Sequence, residues 1–251
     1  MSSSTYPRRR STHVIPNHFL LLLGIPRLLT LASQPSQYAH RVHLALDEVK
    51  AEYVTHNIDL QAKPAWFLEK INPEGTIPAL SYGPKCAPDD PSPEAAAIPE
   101  SLVILEFLAD LFPNGGILPP NDPVARARAR LLVAHFESVF TVAFKSAFYE
   151  GKSPQLVLDA LLEFQARLPK DGFALGAWGM VEMSAAPFLV RTWMLLEHDF
   201  GHYPVGEGTK AWEALSKEDK FTRVRKYVED MKAYPTFRGS WDEVRKLSVR
   251  S

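Results

Sequence analysis

The chain has 251 residues, 46% of them hydrophobic and 23% charged, with a formal net charge of -1 and a single cysteine. This composition suits a soluble globular protein with room for one large domain or two small ones. It provides no basic footprint for nucleic acid. One thiol, Cys86, excludes disulfides and cysteine metal clusters within the chain, and none of the 8 histidines stands at zinc spacing with it.

Arg8, Arg9 and Arg10 precede an apolar stretch at residues 19–32, which loosely imitates a secretory signal. Pro26 and Arg27 interrupt that stretch, and it is too short to cross a membrane. Residues 1–27 therefore read as an N-terminal extension with a mobile Ser/Arg-rich start, on a cytoplasmic protein with no membrane partner. Leu28, Leu29, Leu31 and Ala32 read as a first strand. Tyr38, Val42, Ala45, Leu46 and Val49 then recur at helical spacing and give the following helix one apolar stripe. Ser36 stands where strand passes to helix. It is either a plain N-cap or a group beside a helix N-terminus where a thiolate would be stabilised.

Residues 52–58 alternate as a second strand, and Pro64 can open a short helix. In Asn72-Pro73-Glu74-Gly75-Thr76-Ile77-Pro78-Ala79-Leu80, Pro78 sits inside a strand-like run. A cis Ile77–Pro78 bond would resolve that conflict. Residues 81–99 read as a hairpin connection with an inserted loop and a strand near 95–98. Glu100-Ser101 then opens a helix carrying Leu102, Leu105, Leu108 and Phe112. The order is that of a small α/β unit with a mixed sheet at residues 28–112. Residues 113–123, with Gly115, Gly116, Pro119, Pro120 and Pro123, have linker composition.

From residue 124 the pattern is helical only. Residues 124–149 read as one long helix with an apolar stripe through Leu131, Leu132, His135, Phe136, Val139, Phe140, Ala143, Phe144 and Ala147. Further helices are expected at 154–168, at 180–198 as the buried centre of this domain, and at 219–233, ended by Pro235. The charged stretch at 240–251 is read as a loosely packed tail.

Three runs in fixed order carry a resemblance. Ser36-Gln37-Tyr38-Ala39-His40-Arg41-Val42 is similar to the active-site run of omega-class glutathione transferases. The 72–80 run is similar to their cis-proline motif, and Glu100-Ser101 to their Glu-Ser helix start. Trp178-Gly179-Met180-Val181-Glu182, with Ala186-Pro187-Phe188-Leu189-Val190-Arg191, resembles the start of the family's buried helix. Gly179 has no side chain to cap with, so one half of the usual capping box should be missing. The likeness spans roughly residues 28–240 and is strongest to the fungal omega-like group.

The resemblance implies a glutathione transferase fold: a thioredoxin-like α/β domain at 28–112 and an all-α domain at 124–251. It implies glutathione as co-substrate, no metal and a homodimer. It places glutathione against Gln37, Tyr38, Leu60, Lys63, Ile77, Glu100 and Ser101. The chemistry fits residue by residue. Lys63 and the Ser101 helix start suit the two carboxylates, and Glu100 suits the γ-glutamyl ammonium. Phe140, Phe144, Arg191 and Trp193 are candidates for a second-substrate cleft holding a small hydrophobic or aromatic ligand, although an aromatic stripe at helical spacing also makes core.

The resemblance breaks at the residue that defines the class. Ser36 stands at the catalytic cysteine position and Gln37 at that of the usual proline. A serine cannot form a mixed disulfide, but its hydroxyl can donate to the glutathione thiolate. The expected catalytic residue is Ser36, and the expected activity is conjugation or peroxide reduction rather than thiol transfer. The alternative is a carrier for aromatic or polyphenolic metabolites with weak catalysis. Cys86 and Ser33 fall off the motif register.

Overall fold

The computed structural model describes residues 27–32, 36–84 and 90–241. The extension, Ser33, Cys86 and the tail beyond Trp241 lie outside those residues, so the expectations made for them are not taken further.

Strand β1 (Arg27–Ala32) runs parallel to β2 (Tyr53–Asn57) and antiparallel to β3 (Ala79–Gly83), which pairs antiparallel with β4 (Ala96–Pro99). The sheet order is β2-β1-β3-β4. Helix α1 (Gln37–Glu48) makes the crossover from β1 to β2, α2 (Ala65–Lys70) lies between β2 and β3, and α3 (Ser101–Leu111) follows β4. Alternation along the strands separates two faces. Leu29 and Leu31 pack with Phe67 and Ile71 of α2, whereas Leu80 packs with Val42 of α1 and Ile104, Leu105 and Leu108 of α3. Pro64 stands just before α2 as its N-cap rather than inside its first turn. The Ile77–Pro78 bond is cis, as the motif required.

After Leu111 the elements change to helices only. Helix α4 (Pro123–His135) opens with Pro123, and the Asp122 side chain accepts from Ala125 N at 2.9 Å. It passes through a wide π-helical turn (Phe136–Thr141) into α5 (Val142–Phe148). The run Pro123–Phe148 is the one long helix expected, but Leu131 faces solvent at 72% exposure and is not part of the inward stripe. Helix α6 (Gln155–Gln165) packs on the π turn and α5. Helix α7 (Met180–Glu197) is the buried centre expected of it, with every residue but Trp193 and Glu197 buried.

Two elements escaped the sequence reading. Helix α8 (Glu207–Lys217) starts after Asp199, whose carboxylate accepts from Gly206 N at 2.6 Å and Gly208 N at 2.8 Å. Pro235, expected only to end α9 (Thr222–Ala233), also opens α10 (Pro235–Ser240). The start of α7 has the expected half-box. Glu182 Oε2 accepts from Gly179 N at 3.1 Å, while its Oε1 accepts from Ala174 N and the Tyr227 hydroxyl, both at 2.7 Å. The whole is a thioredoxin-like unit joined to an all-helical part, the glutathione transferase fold that the resemblance implied.

Candidate functional site

The register of the sheet assembles the site. Ala32 pairs with Asn57, Leu31 with Ala79, and Ala79 with Pro99. The C-terminal ends of β1, β2 and β4 and the N-terminal end of β3 therefore share one edge. Ser36 lies four residues beyond Ala32, and Leu60 and Lys63 follow Asn57. Ile77 lies two residues before Ala79, and Glu100 directly follows Pro99. Four stretches far apart in sequence converge there.

Ser36 is the N-cap of α1. Its Oγ accepts from Ala39 N at 3.2 Å, and its carbonyl accepts from His40 N at 3.1 Å. The cap occupies an acceptor lone pair and does not use the hydroxyl proton. Helix geometry gives the N–H groups of Gln37 and Tyr38 no carbonyl partner within α1, and the helix dipole is positive at that end. Capping and thiolate stabilisation are thus compatible duties of one hydroxyl.

Lys63 reaches back over the cis-proline turn. Gly75 lies beneath it at φ +66°, and a Cβ there would stand 3.2 Å from Lys63 Nζ and 3.0 Å from Leu68 Cδ2. Asn72, which the sequence reading passed over, fixes this turn. Its Nδ2 donates to Thr76 O and Oγ1, both at 2.9 Å, and its Oδ1 accepts from Glu74 N at 3.2 Å. Ile77 is half-buried behind the turn, and Leu60 is exposed at the same edge. Glu100 is held at φ +70° between β4 and α3, a region that side-chain-bearing residues avoid at a cost of about 1–3 kcal/mol. That conformation presents the buried Ser101 as the first residue of α3.

The structure adds a residue that was not singled out from the sequence. Arg41 of α1 is wholly buried. Its Nε donates to Ser184 O of α7 at 2.8 Å, its Nη1 to Ser101 Oγ at 3.4 Å, and its Nη2 is paired with Glu137. Its guanidinium lies against both the Tyr38 and Phe188 rings, 5.2 and 4.6 Å from their centroids. Glu137 sits in the π turn, where its Oε1 also accepts from Thr141 Oγ1 at 3.2 Å. π turns are frequent at functional sites, and this one holds the carboxylate that pairs with the buried cation. The guanidinium, paired with Glu137, therefore lies directly behind the Ser101 hydroxyl. The signal in sequence was a basic residue one position before the apolar Val42, on the inner side of an amphipathic helix.

The sheet unit and the helical part meet beside Ser36, through Gln37 and Tyr38 on one side and Tyr149 and Phe188 on the other. Tyr38, expected on the buried stripe, is instead 39% exposed, edge-on to Phe188 at 5.2 Å. Burial raises its phenol pKa, opposed by the Arg41 cation and reinforced by Glu137, Tyr149 and Glu100. Tyr149, just past α5, is 43% exposed, and its hydroxyl accepts from Gln37 Nε2 at 3.2 Å. The four residues proposed from sequence for a second substrate stand differently. Phe140 and Phe144 are core, in a chain of rings from Phe136 to Phe148 that also meets Phe188. The helical spacing that suggested a wall is the spacing of a packed face. Arg191 is buried, donating to Pro187 O at 2.6 Å and to His40 Nδ1 at 3.3 Å, with its guanidinium 5.2 Å from the Trp241 ring centroid. Trp193 is partly buried against the core of the helical domain.

Among the described residues no group of three or more His, Cys, Asp or Glu could hold a metal. One helix, Pro123–Phe148, is long and apolar enough to cross a membrane, but Phe136, Phe140, Phe144 and Phe148 on it are packed in the core.

Comparison with known proteins agrees with this geometry. Residues 35–111 match the family described as glutathione S-transferase, N-terminal domain. The crystal structure of glutathione transferase Omega 1C from Trametes versicolor is 39% identical, with a TM-score of 0.85 over 90% of this chain and 96% of that one. Glutathione transferase Omega 2S from the same organism, solved in complex with 2,4-dihydroxybenzophenone, is 37% identical, with a TM-score of 0.83 over 89% of this chain and 97% of that one. Pyrimidodiazepine synthase of Drosophila melanogaster is 36% identical over 124 residues, which is 49% of this chain and 46% of that relative, so the match spans about half its length.

Proposed function

The chain belongs to the glutathione S-transferase family, with omega-class proteins among its structural neighbours, and on that premise we propose that it activates the glutathione thiol through Ser36. The observation that carries this reading is the position of Ser36 Oγ at the N-terminus of α1, accepting from Ala39 N with its own proton available to donate. A hydrogen bond to the thiolate, added to the orphan N–H groups, favours the ionised form and lowers the thiol pKa from its free value of about 8.5. Glutathione is then the nucleophile, and small hydrophobic electrophiles or peroxides are its targets.

In this reading Lys63 meets the glycyl carboxylate, the Ser101 helix start meets the γ-glutamyl carboxylate, and Glu100 meets the ammonium. The buried Arg41 supplies charge behind Ser101. Ile77 pairs its backbone with the cysteinyl unit, and Leu60 packs beside it. The protein would act as a cytoplasmic homodimer with no nucleic-acid or membrane partner.

Conjugation of glutathione to an aryl halide, and reduction of a glutathione mixed disulfide, measured on the native protein and on Ser36→Cys, test the reading. Conjugation by the native protein, with disulfide reduction only in the variant, is the expected result. Native disulfide reduction at a rate the cysteine variant does not exceed would overturn it.

A second reading, a carrier of aromatic or polyphenolic metabolites with weak catalysis, is favoured by one observation. Omega 2S, 37% identical, was crystallised with a dihydroxybenzophenone. A carrier would bind such rings at micromolar concentration and show almost no conjugation.

A further inference from the structure

Helix α10 is laid along α1 and fastened to it at both ends. Near the start of α10, Tyr234 and Thr236 donate their hydroxyls to the Glu48 carboxylate at the C-terminal end of α1. At the other end, Ser240 and Trp241 reach His40, one turn from Ser36. The two helices therefore run antiparallel. Nothing in the proposed activation of the thiol uses the His40 end.

His40 is 5% exposed, in a slot made by α7, α10 and Trp241. Its Nε2 stands 2.7 Å from Ser240 Oγ, and its ring lies 5.3 Å from Phe237 and 6.1 Å from Trp241, centroid to centroid. Arg191 of α7 meets its Nδ1 at 3.3 Å and lies 5.2 Å over the Trp241 ring. The partners fix the direction of these bonds. The Ser240 hydroxyl donates to Phe237 O at 2.9 Å, so its oxygen accepts from His40 Nε2. A guanidinium can only donate, so Nδ1 accepts. The two bonds together select the neutral Nε2–H tautomer and hold the ring at both nitrogens.

The same residue closes the first turn of α1. His40 N donates to Ser36 O at 3.1 Å, beside the bond from Ala39 N to Ser36 Oγ. The turn that carries Ser36 is thus anchored through one side chain to α7 and α10. Helix ends fray, and this slot restrains the end on which the proposed thiolate contact depends.

We propose that His40 is a positioning residue: clamped by Ser240 and Arg191, it sets the direction in which Ser36 Oγ faces the glutathione thiolate. Helix α10 is the clasp that holds it. This inference rests on Ser36 being the group that stabilises that thiolate.

The test reads the pKa of the thiol of bound glutathione, from the ultraviolet absorbance of the thiolate. Glutathione affinity by calorimetry and stability by chemical denaturation are measured beside it. Ser240→Ala and His40→Leu should each raise that pKa by about 0.5–1, part of what a hydrogen bond to a charged group supplies. Affinity at acid pH, where the thiol stays protonated, should remain within twofold of native. His40→Gln keeps one donor and one acceptor and should restore most of the native value. Tyr234→Phe removes a bond at the far end of the same clasp, and should leave the thiol pKa native even where stability falls. In a Ser36→Ala background, Ser240→Ala should add nothing. A native thiol pKa in Ser240→Ala and His40→Leu would overturn the inference. So would an equal rise in Tyr234→Phe or an additive rise in the double variant, and α10 would then be packing only. Ser240 is half-buried, so Ser240→Ala decides the matter alone if His40→Leu does not fold. A native thiol pKa in Ser36→Ala would overturn the reading beneath, and the inference with it.

Discussion

The proposed function gives Ser36 a second duty beside its cap, and its variants separate the two. Ser36→Ala removes both the cap and the donor, so stability should fall by about 0.5–2 kcal/mol. Conjugation at neutral pH should slow roughly ten- to a hundredfold, the equivalent of one lost hydrogen bond to a charged group. Glutathione affinity should stay near native because the peptide is held elsewhere. The rate deficit should shrink at alkaline pH, where the thiol ionises without help. Ser36→Asp keeps an N-cap acceptor, so its stability by chemical denaturation should stay near native. It offers a negative charge in place of a proton, so its conjugation should be slower than that of Ser36→Ala. If Ser36→Ala showed the native pH–rate profile, Ser36 would be a cap only. The anchors are independent of this. Lys63→Ala and Ser101→Ala should each weaken glutathione by ~1–3 kcal/mol in calorimetry, and unchanged affinity in both would move the site.

At the scale of elements, α1 is the member held from every side. Arg41 ties it to α7 and the π turn, and Tyr234, between α9 and α10, donates its hydroxyl to Glu48 at 2.8 Å. Burial and that bond push the Tyr234 phenol up to about 12. Removing the Arg41 cation strands Glu137, a loss of about 3–5 kcal/mol for a buried pair. Glu137 keeps 27% of its side chain exposed and can rehydrate, which favours the lower end. Arg41→Met should therefore be strongly destabilising in chemical denaturation, and adding Glu137→Met should recover part of the loss; full additivity would mean the two do not interact.

Glu182, which staples the start of α7, gives a pH dependence. Burial raises its pKa in the folded protein above the ordinary carboxylate value, against its hydrogen bonds from Tyr227, Ala174 and Gly179. The folded state then holds this proton more tightly than the unfolded state. That contribution is fully present below the unfolded pKa and is lost as pH rises through the folded pKa. The stability difference between native protein and Glu182→Gln should thus move against the native protein between about pH 4 and neutrality. A difference constant with pH would show that Glu182 is not perturbed.

For the whole molecule, the sheet unit and the helical part are joined beside Ser36 as well as through Tyr234–Glu48, Arg126–Asp110 and Arg130–Glu106. Arg41 and Gln37 of the first bond Glu137, Ser184 and Tyr149 of the second, so the helix that Ser36 caps is itself part of the junction. Light scattering at micromolar concentration should give twice the 28.1 kDa chain mass, as the proposed homodimer requires. A monomer mass would remove that part of the reading.

Sequence by itself determined the order of the elements other than α8 and α10, the cis bond at Pro78 and the helix starts at Ser36 and Ser101. Each depends on local rules: turn chemistry, capping and periodicity act over a few residues. Helix α8 was missed because its start is set by Asp199, seven or more residues away, rather than by an adjacent cap. Periodicity could tell that Phe140 and Phe144 share a face, but not whether that face meets core or cleft. Only the tertiary structure decided which side chains meet. The pairing of Ala32, Asn57, Ala79 and Pro99 brings the proposed anchors to one edge, and the packing of α1 against α7 turns an unremarked Arg41 into the buried guanidinium behind Ser101. Strand register and domain docking are contacts between residues distant in sequence, and no local pattern encodes them.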